Sequence, residues 1–317
     1  MVGAMIDTRE VGFGSEANEQ LAGLLHDAKS QDVFAPVCVI VPSNYVAVTL
    51  RRELATGNYG ATSWVGSGLV GTDFLTSYRL AEAVAGHTFL AQGRQPVRGV
   101  VIGAAIRQIL SDTPGIFEPI AHHGATEREL VRVYRELRDL EESDLNTLAS
   151  TGERSSEVVR VCSAANRLLQ DKWFDEFDLF RSSDLALEKV SNFGRLVLFL
   201  PQRLANTETT FLSRLSDVSS MTALIGLTGS EEADRDSNRV ADLFNTQHLS
   251  SNVTPASAST VISVSDPDDE VRTTVRAVIG LLDQGVTASQ IAVLYPHRNP
   301  YARLLEEHLN DSAVSFS

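Results

Sequence analysis

Three short apolar runs constrain the fold of this chain more than any other feature. They are VCVIV at 37–41, RLVLFLP at 195–201 and TALIGLT at 222–228, each bounded by turn-forming or polar residues. A strand that is apolar along its whole length is typical of a parallel sheet that is covered on both faces. The sequence therefore predicts an α/β fold in which these three runs form buried parallel strands.

Helical patterns lie beside these runs, as an α/β fold requires. Leucines at helical spacing predict a helix over residues 15–30, and a second helix over 44–55 follows the first apolar run. A third helix is predicted to begin at Thr72 or Asp73, either of which is a suitable cap. A fourth covers 207–216, between the second and third runs. This alternation predicts a parallel sheet with helices packed against it.

The middle of the chain has a different pattern. Between residues 94 and 185 the strand-like runs give way to amphipathic helices at VVIGAAIRQIL, TERELVRVYRELRDLEE and SEVVRVCSAANRLLQDKW. We therefore divide the chain into a first sheet domain, formed by 1–93 together with 186–259, and a helical subdomain, 94–185, inserted into it. Residues 260–317 then begin a second sheet domain.

The last part of the chain repeats the strand and helix pattern on a smaller scale. A polar connection over 229–259 is followed by a predicted strand at 260–264, a helix at 268–285, a strand at 291–296 and a helix at 299–310. Two strands are few for a sheet. We expect the second domain to be incomplete here and the natural chain to continue.

Composition and charge limit the classes of function. The 27 basic residues are outnumbered by 41 acidic ones, and the net charge of −14 opposes strong binding of this chain alone to a polyanion. Apolar runs fall short of the roughly 18–20 residues that a membrane-spanning helix needs, and the N-terminus lacks the basic and apolar regions of a signal peptide. We expect a cytoplasmic protein without a membrane partner. Cys38 and Cys162 lie in apolar surroundings and are expected to be buried free thiols.

The residues of a motor ATPase are missing. The chain has no GxxxxGK[S/T] loop, whose backbone N–H groups and lysine hold nucleotide phosphates. Gly12 and Gly14 stand where such a loop might precede a helix, but Glu16 follows them, and a tight turn is the favoured interpretation. The apolar run at 195–201 ends in Leu200 and Pro201 where an acidic pair for magnesium would be expected. The sequence predicts neither ATP hydrolysis nor a cofactor.

Other residues that could bind a metal have simpler interpretations. His122 and His123 are adjacent to one another but lack a carboxylate or cysteine at metal-ligand spacing. The acidic group from Asp266 to Glu270 would suit magnesium, but acidic residues in the first turn of a helix commonly stabilise its N-terminus, and we favour that role. We therefore predict no metal site and no catalytic centre.

Several stretches, taken in order, resemble one family. ANEQLAGLLHDAKSQDVFAPVCVIVPSNYVAVTLRRELA, GTDFLTSYRLAEAVAG, LQDKWFDEFDLFRSSDLAL, VLFLPQRLANTETTFLSRL and SDPDDEVRTTVRAVIGLLDQGVTASQIAVLYPHRNPYARLLEEHL are similar to successive parts of AddB/RecC-type subunits, which are UvrD-like, superfamily 1 helicase relatives. The resemblance spans about residues 17–309.

This resemblance implies a fold, a function and partners. The fold would be a RecA-like, P-loop NTPase-like sheet domain with an inserted helical subdomain. The function would be that of an inactivated helicase scaffold that holds or scans DNA during double-strand-break repair, beside an active helicase–nuclease subunit. The parent protein would belong to an ATP-dependent helicase and exonuclease. The PD-(D/E)xK nuclease domain of AddB-type proteins is not in these residues.

The resemblance also implies where a single strand of DNA would lie. The corresponding stretches offer short polar groups and helix N-terminal N–H donors for phosphate, aromatic rings for base stacking, and arginine cations. The candidate residues are Ser43, Asn44, Tyr45, Arg51, Arg52, Phe74, Tyr78 and Arg79. The alternative is that the aromatic rings belong to the core and that the arginines pair with Glu53 and Glu82.

Two other functions remain open from the sequence. One is an unrelated α/β enzyme or nucleotide-binding protein whose site is built from loops without a recognisable motif. The other is a scaffold that contacts only proteins.

Overall fold

The computed structural model describes residues 6–56, 68–182, 187–244, 253 and 260–316. Its contacts group the chain into two compact units, residues 1–255 and 256–317. The first unit contains every strand that the described residues form. These strands are β1 (Asp7–Gly12), β2 (Val37–Ile40), β3 (Thr72–Leu75), β4 (Gln95–Pro96), β5 (Trp173–Phe174), β6 (Arg195–Phe199) and β7 (Met221–Leu227).

The helices of the first unit alternate with these strands and then cluster between β3 and β6. They are α1 (Ser15–Lys29), α2 (Asn44–Ala55), α3 (Ser77–Ala91), α4 (Gly99–Asp112), α5 (Gly124–Leu137), α6 (Glu142–Ser150), α7 (Glu153–Leu169), α8 (Glu176–Arg181), α9 (Leu187–Val190), α10 (Asn206–Ser216) and α11 (Arg235–Leu243). The fold is thus α/β, as predicted.

Five strands form one parallel sheet in the order β1-β7-β6-β2-β3. The first two apolar runs lie in the same parallel sheet, as predicted, and they are neighbours there, with Val39 of β2 opposite Val197 of β6. The third run, β7, lies on the other side of β6. Two-residue strands β4 and β5 pair only with each other.

Side chains alternate between two covered faces of this sheet. On β2, Val37 and Val39 pack against α1 and α2, whereas Cys38 and Ile40 pack in the other core, which α3, α8, α10 and α11 cover. Right-handed connections place helices on opposite faces when the chain moves in opposite directions across the sheet. Both faces are buried, which explains why the central strands are apolar throughout.

The segment between β3 and β6 is helical, and part of it has a core of its own. Buried residues of α4, α5 and α7 pack together, among them Ile106, Leu130, Tyr134 and Val161. Helix α8 instead packs against α3 and α10 on the sheet. Helix α8 is therefore one of the contacts that join the inserted helices to the sheet.

One prediction in the first part of the chain is wrong, and one strand was missed. Residues Thr72–Leu75 form strand β3, not the first turn of a helix, because β2 supplies hydrogen-bond partners for their backbone. The helix begins at Ser77, and Thr76 caps it by accepting from the N–H of Arg79. Strand β1 was not predicted. It lies at the edge of the sheet, where only its last two residues are buried.

The second unit consists of α12 (Pro267–Asp283) packed on α13 (Arg298–Asp311), with a short 3-10 turn before residue 291. The predicted capping role of the acidic group holds: Asp266 accepts from the N–H of Asp269 at 2.9 Å. The strands predicted at 260–264 and 291–296 are absent from the described residues. A strand needs a hydrogen-bonded neighbour, and neither segment has one among the residues that the structure describes.

The polar connection predicted over 229–259 is only partly described. Its first half contains α11. Residues 245–252 and 254–259 lie outside the described part of the chain.

Candidate functional site

The carboxyl edge of the parallel sheet is where a fold of this class would bind a ligand. In open α/β sheets, ligands bind beyond the carboxyl ends of the strands where the chain reverses its direction across the sheet. The chain moves one way from β2 to β3 and the other way from β6 to β7, so the reversal lies between β2 and β6. The loops that flank it are residues 41–43 and 200–205.

The start of α2 stands at this edge with its polar groups open. Ser43 caps the helix, its hydroxyl accepting from the N–H of Val46 at 3.3 Å. The first turn contains no acidic residue. Asn44 is exposed, and the ring of Tyr45 is 82% exposed. Three of the predicted DNA-binding residues are therefore placed where a ligand can reach them.

The other residues on the α2 side divide between surface and core. Phe74 is buried in the core beneath α2, so it is not available to stack on a base, and this part of the prediction is corrected. Its partner is Arg51, whose guanidinium lies 5.7 Å from the ring centroid. Arg52 is exposed and makes no ion pair within the described residues. Glu53, the expected partner of these arginines, instead accepts from Asn18 of α1.

Tyr78 and Arg79 do not join this group, because α3 packs on the opposite face of the sheet from α2. The Tyr78 ring is half-buried, and its hydroxyl donates to Glu82 at 3.4 Å. Burial raises the pKa of Tyr78, and the charge of Glu82 adds to the effect. Arg79 pairs with Glu82 at 2.6 Å, as the alternative interpretation predicted. The eight candidates therefore form two separate sets.

Other positions for an anion along the carboxyl edge are filled by the protein's own carboxylates. The first is the Gly12 turn before α1, where Glu16 folds back over the backbone. A methyl group on Gly12 would lie only 2.6 Å from its Oε2 atom. A phosphate in this turn would meet a negative charge.

The second filled position is the N-terminus of α10, after β6. Asp139, from the turn between α5 and α6, accepts from the N–H of Asn206 at 2.9 Å and of Thr207 at 3.0 Å. The Thr207 hydroxyl donates to the same carboxylate at 2.8 Å. Asp139 therefore occupies the anion position that a helix N-terminus offers. No local signal reveals this contact, because the partners are 67 and 68 residues apart.

The third filled position follows β7. Asp234 is buried and accepts from the N–H groups of Thr228 at 2.7 Å and Gly229 at 2.9 Å. The Thr228 hydroxyl donates to it as well, at 2.8 Å. Because its donors are already used, this turn has no room for a further anion. Within the described residues, the start of α2 differs from these three positions because its first turn contains no acidic residue.

A network of ion pairs links the inserted helices to α8. Arg138, at the end of α5, donates to Asp175 at 2.7 and 3.0 Å and to Asp178 at 2.7 Å. Arg94 reaches Asp178 at 3.3 Å from the other side. These four residues pair with one another, and we assign them to the architecture and not to a catalytic site.

The two cysteines are buried, as predicted. Burial raises the pKa of both thiols to about 12, so they stay protonated at neutral pH and are poor nucleophiles. The described residues also contain no group of three or more His, Cys, Asp or Glu side chains arranged for a metal ion.

The comparisons with known proteins do not assign a family: no family model matches the chain, and no curated protein matches it significantly. Within the described residues, none of the helices has the length and apolar character that crossing a bilayer requires.

Proposed function

We propose that this chain is a non-catalytic, helicase-like portion of an AddB/RecC-type DNA double-strand-break repair complex. In this role it holds or scans DNA beside an active helicase–nuclease subunit. Its sheet would be a RecA-like domain that has lost nucleotide hydrolysis. The resemblance of the sequence motivates this proposal, and the order of a parallel sheet interrupted by inserted helices is compatible with it.

One observation carries the proposal. At the carboxyl edge, side chains that a ligand could reach lie on α2, whereas carboxylates lie at the turns where a nucleotide would place its phosphates. Asp139 and Asp234 accept from the N–H groups of two of those turns, and the Glu16 carboxylate lies over the third. At α2, exposed Tyr45 and Arg52 provide a ring and a cation on one helix. Rings and cations on a shared surface suit a single strand of nucleic acid.

The first test measures DNA binding with the α2 arginines removed. Fluorescence anisotropy with a labelled 30-nucleotide dT strand at low salt should show weak binding that falls steeply as salt is added, given the net charge of −14. The Arg51→Ala, Arg52→Ala double variant should weaken binding by about tenfold, because two phosphate contacts are lost.

The matched control removes the same charge elsewhere. Arg154 and Arg167 are exposed on α7, and their double alanine variant should bind like the parent protein. Equal binding by the Arg51, Arg52 variant and the parent would remove α2 as the contact. Failure of the parent to bind any strand would contradict the proposed function.

The second test concerns ATP. Isothermal titration of the chain with magnesium-ATP should show only the heat of dilution, because the lysine loop is missing and Glu16 occupies the Gly12 turn. A micromolar affinity would instead favour the alternative of a nucleotide-binding protein.

A further inference from the structure

An aromatic ring occupies the turn where a phosphate loop would stand. Phe13 lies between Gly12 and Gly14, directly after β1, and its ring packs against Gly226 of β7. A methyl group on Gly226 would lie 2.5 Å from the nearest ring carbon. The side chain is nevertheless 41% exposed. The ring is therefore seated on the sheet and partly open to solvent.

Leu200 approaches the same position on β7 as the Phe13 ring. It follows β6, and its N–H still donates to the carbonyl of Leu224 at 2.9 Å. Its φ of 48° is unusual for a residue with a side chain. In this conformation its Cδ2 atom lies 3.0 Å from the same point above Gly226 that the Phe13 ring approaches. Gly226 and Leu200 thus form an apolar seat for the Phe13 ring at the carboxyl edge.

A second exposed ring and two exposed arginines lie on the same edge or on the helix that begins there. Tyr45 shares a helix face with Arg52, which lies seven residues and about 10 Å further along α2. Arg203 is exposed in the loop that follows Leu200. Neither arginine makes an ion pair within the described part of the chain. Exposed rings and exposed cations on one side of the molecule suit an anionic ligand that also has flat apolar groups.

We propose that Phe13 and Tyr45 stack on unpaired bases of a single nucleic-acid strand, while Arg52 and Arg203 contact its phosphates. Glu16 repels phosphate from the Gly12 turn, which leaves the adjacent Phe13 ring to meet a base. Stacking tolerates any base sequence, because every base has a flat face. This inference rests on the proposed function and names the groups of the strand that are recognised.

The experiment separates bases from phosphates. Binding of the full chain to a labelled dT strand is compared with binding to an abasic strand of the same length and charge. The variants are Phe13→Leu, Tyr45→Leu and the two combined, since leucine keeps an apolar side chain but has no ring. The control is Phe34→Leu, because Phe34 is 73% exposed in the loop before β2, at the opposite edge of the sheet.

We expect the parent to prefer the dT strand, and the combined variant to lose about tenfold in affinity for it. Affinity for the abasic strand should stay the same in every variant, which also shows that the variants are folded. Phe34→Leu should behave like the parent. Tyr45→Leu, at the more exposed position, is the variant with the least risk to folding.

The experiment distinguishes failure of the stacking inference from failure of the proposed function. If the parent binds both strands equally, or if the combined variant keeps the preference for dT, the stacking inference is overturned while DNA binding itself stands. If the parent binds neither strand at low salt, both the proposed function and the stacking inference are overturned.

Discussion

Lys29 is a buried cation that ties two loops to the end of α1, and replacing it should destabilise the first unit strongly. The side chain is 7% exposed. Its Nζ donates to the carbonyl oxygens of Val70 at 2.6 Å and Ala35 at 2.7 Å, with longer contacts to Gly71 and Val33. These carbonyls belong to the segments that lead into β2 and β3, so one ammonium group holds the start of both strands.

The size of the effect follows from these contacts. Lys29→Met keeps most of the apolar stem but leaves the carbonyls of Val70 and Ala35 without this donor. Hydrogen bonds to a charged group contribute about 1.5–3 kcal/mol each. Burial of the ammonium offsets part of this gain, and the same burial lowers the pKa of Lys29. We expect the free energy of unfolding to fall by about 2–4 kcal/mol.

Urea unfolding followed by circular dichroism measures this loss. Lys172→Met is the matched control, because Lys172 is exposed and the same atoms are exchanged. An exposed substitution of this kind should change stability by less than about 0.5 kcal/mol. If the two variants unfold at the same urea concentration with equal slopes, the carbonyl contacts of Lys29 do not stabilise the fold.

Three further predictions concern the carboxyl edge. Asp139→Ala should lower the free energy of unfolding by about 1–2 kcal/mol in a urea titration, because the α10 N-terminus loses its capping carboxylate, and Asp139→Asn should lose less. Burial raises the pKa of the Glu208 carboxyl in the folded protein above its value in the unfolded chain. The stability that the protonated carboxyl contributes is therefore fully present below the pKa of the unfolded chain, and it is lost as pH rises through the pKa of the folded protein. In Glu208→Gln, the free energy of unfolding should therefore fall less between about pH 4 and neutrality than it does in the parent protein. The control Glu19→Gln, at an exposed position, should leave this fall unchanged, and equal pH slopes in the two variants would contradict the prediction. Gly226→Ala should displace the Phe13 ring and weaken binding of a dT strand but not of an abasic one, and unchanged dT binding would show that the seat is not needed.

The sequence by itself determined the centre of the sheet. Strands β2, β6 and β7 are buried on both faces, so each had to be apolar along its length, and that pattern is visible without any partner. Local signals also placed the start of α2: Pro42 and Ser43 end the strand and cap the helix, which puts Asn44 and Tyr45 on the surface. The exposed part of the candidate site was therefore predictable.

Tertiary structure decided the features whose partners lie far away in the chain. Strand β3 exists because β2 pairs with it, and Phe74 is buried because α2 covers it. Asp139 reaches the start of α10 from 67 residues away, a contact that no periodicity records. Helical and strand patterns report only which face of an element is apolar. Which element covers that face, and which carboxylate fills a helix N-terminus, depends on how the folded chain brings distant residues together.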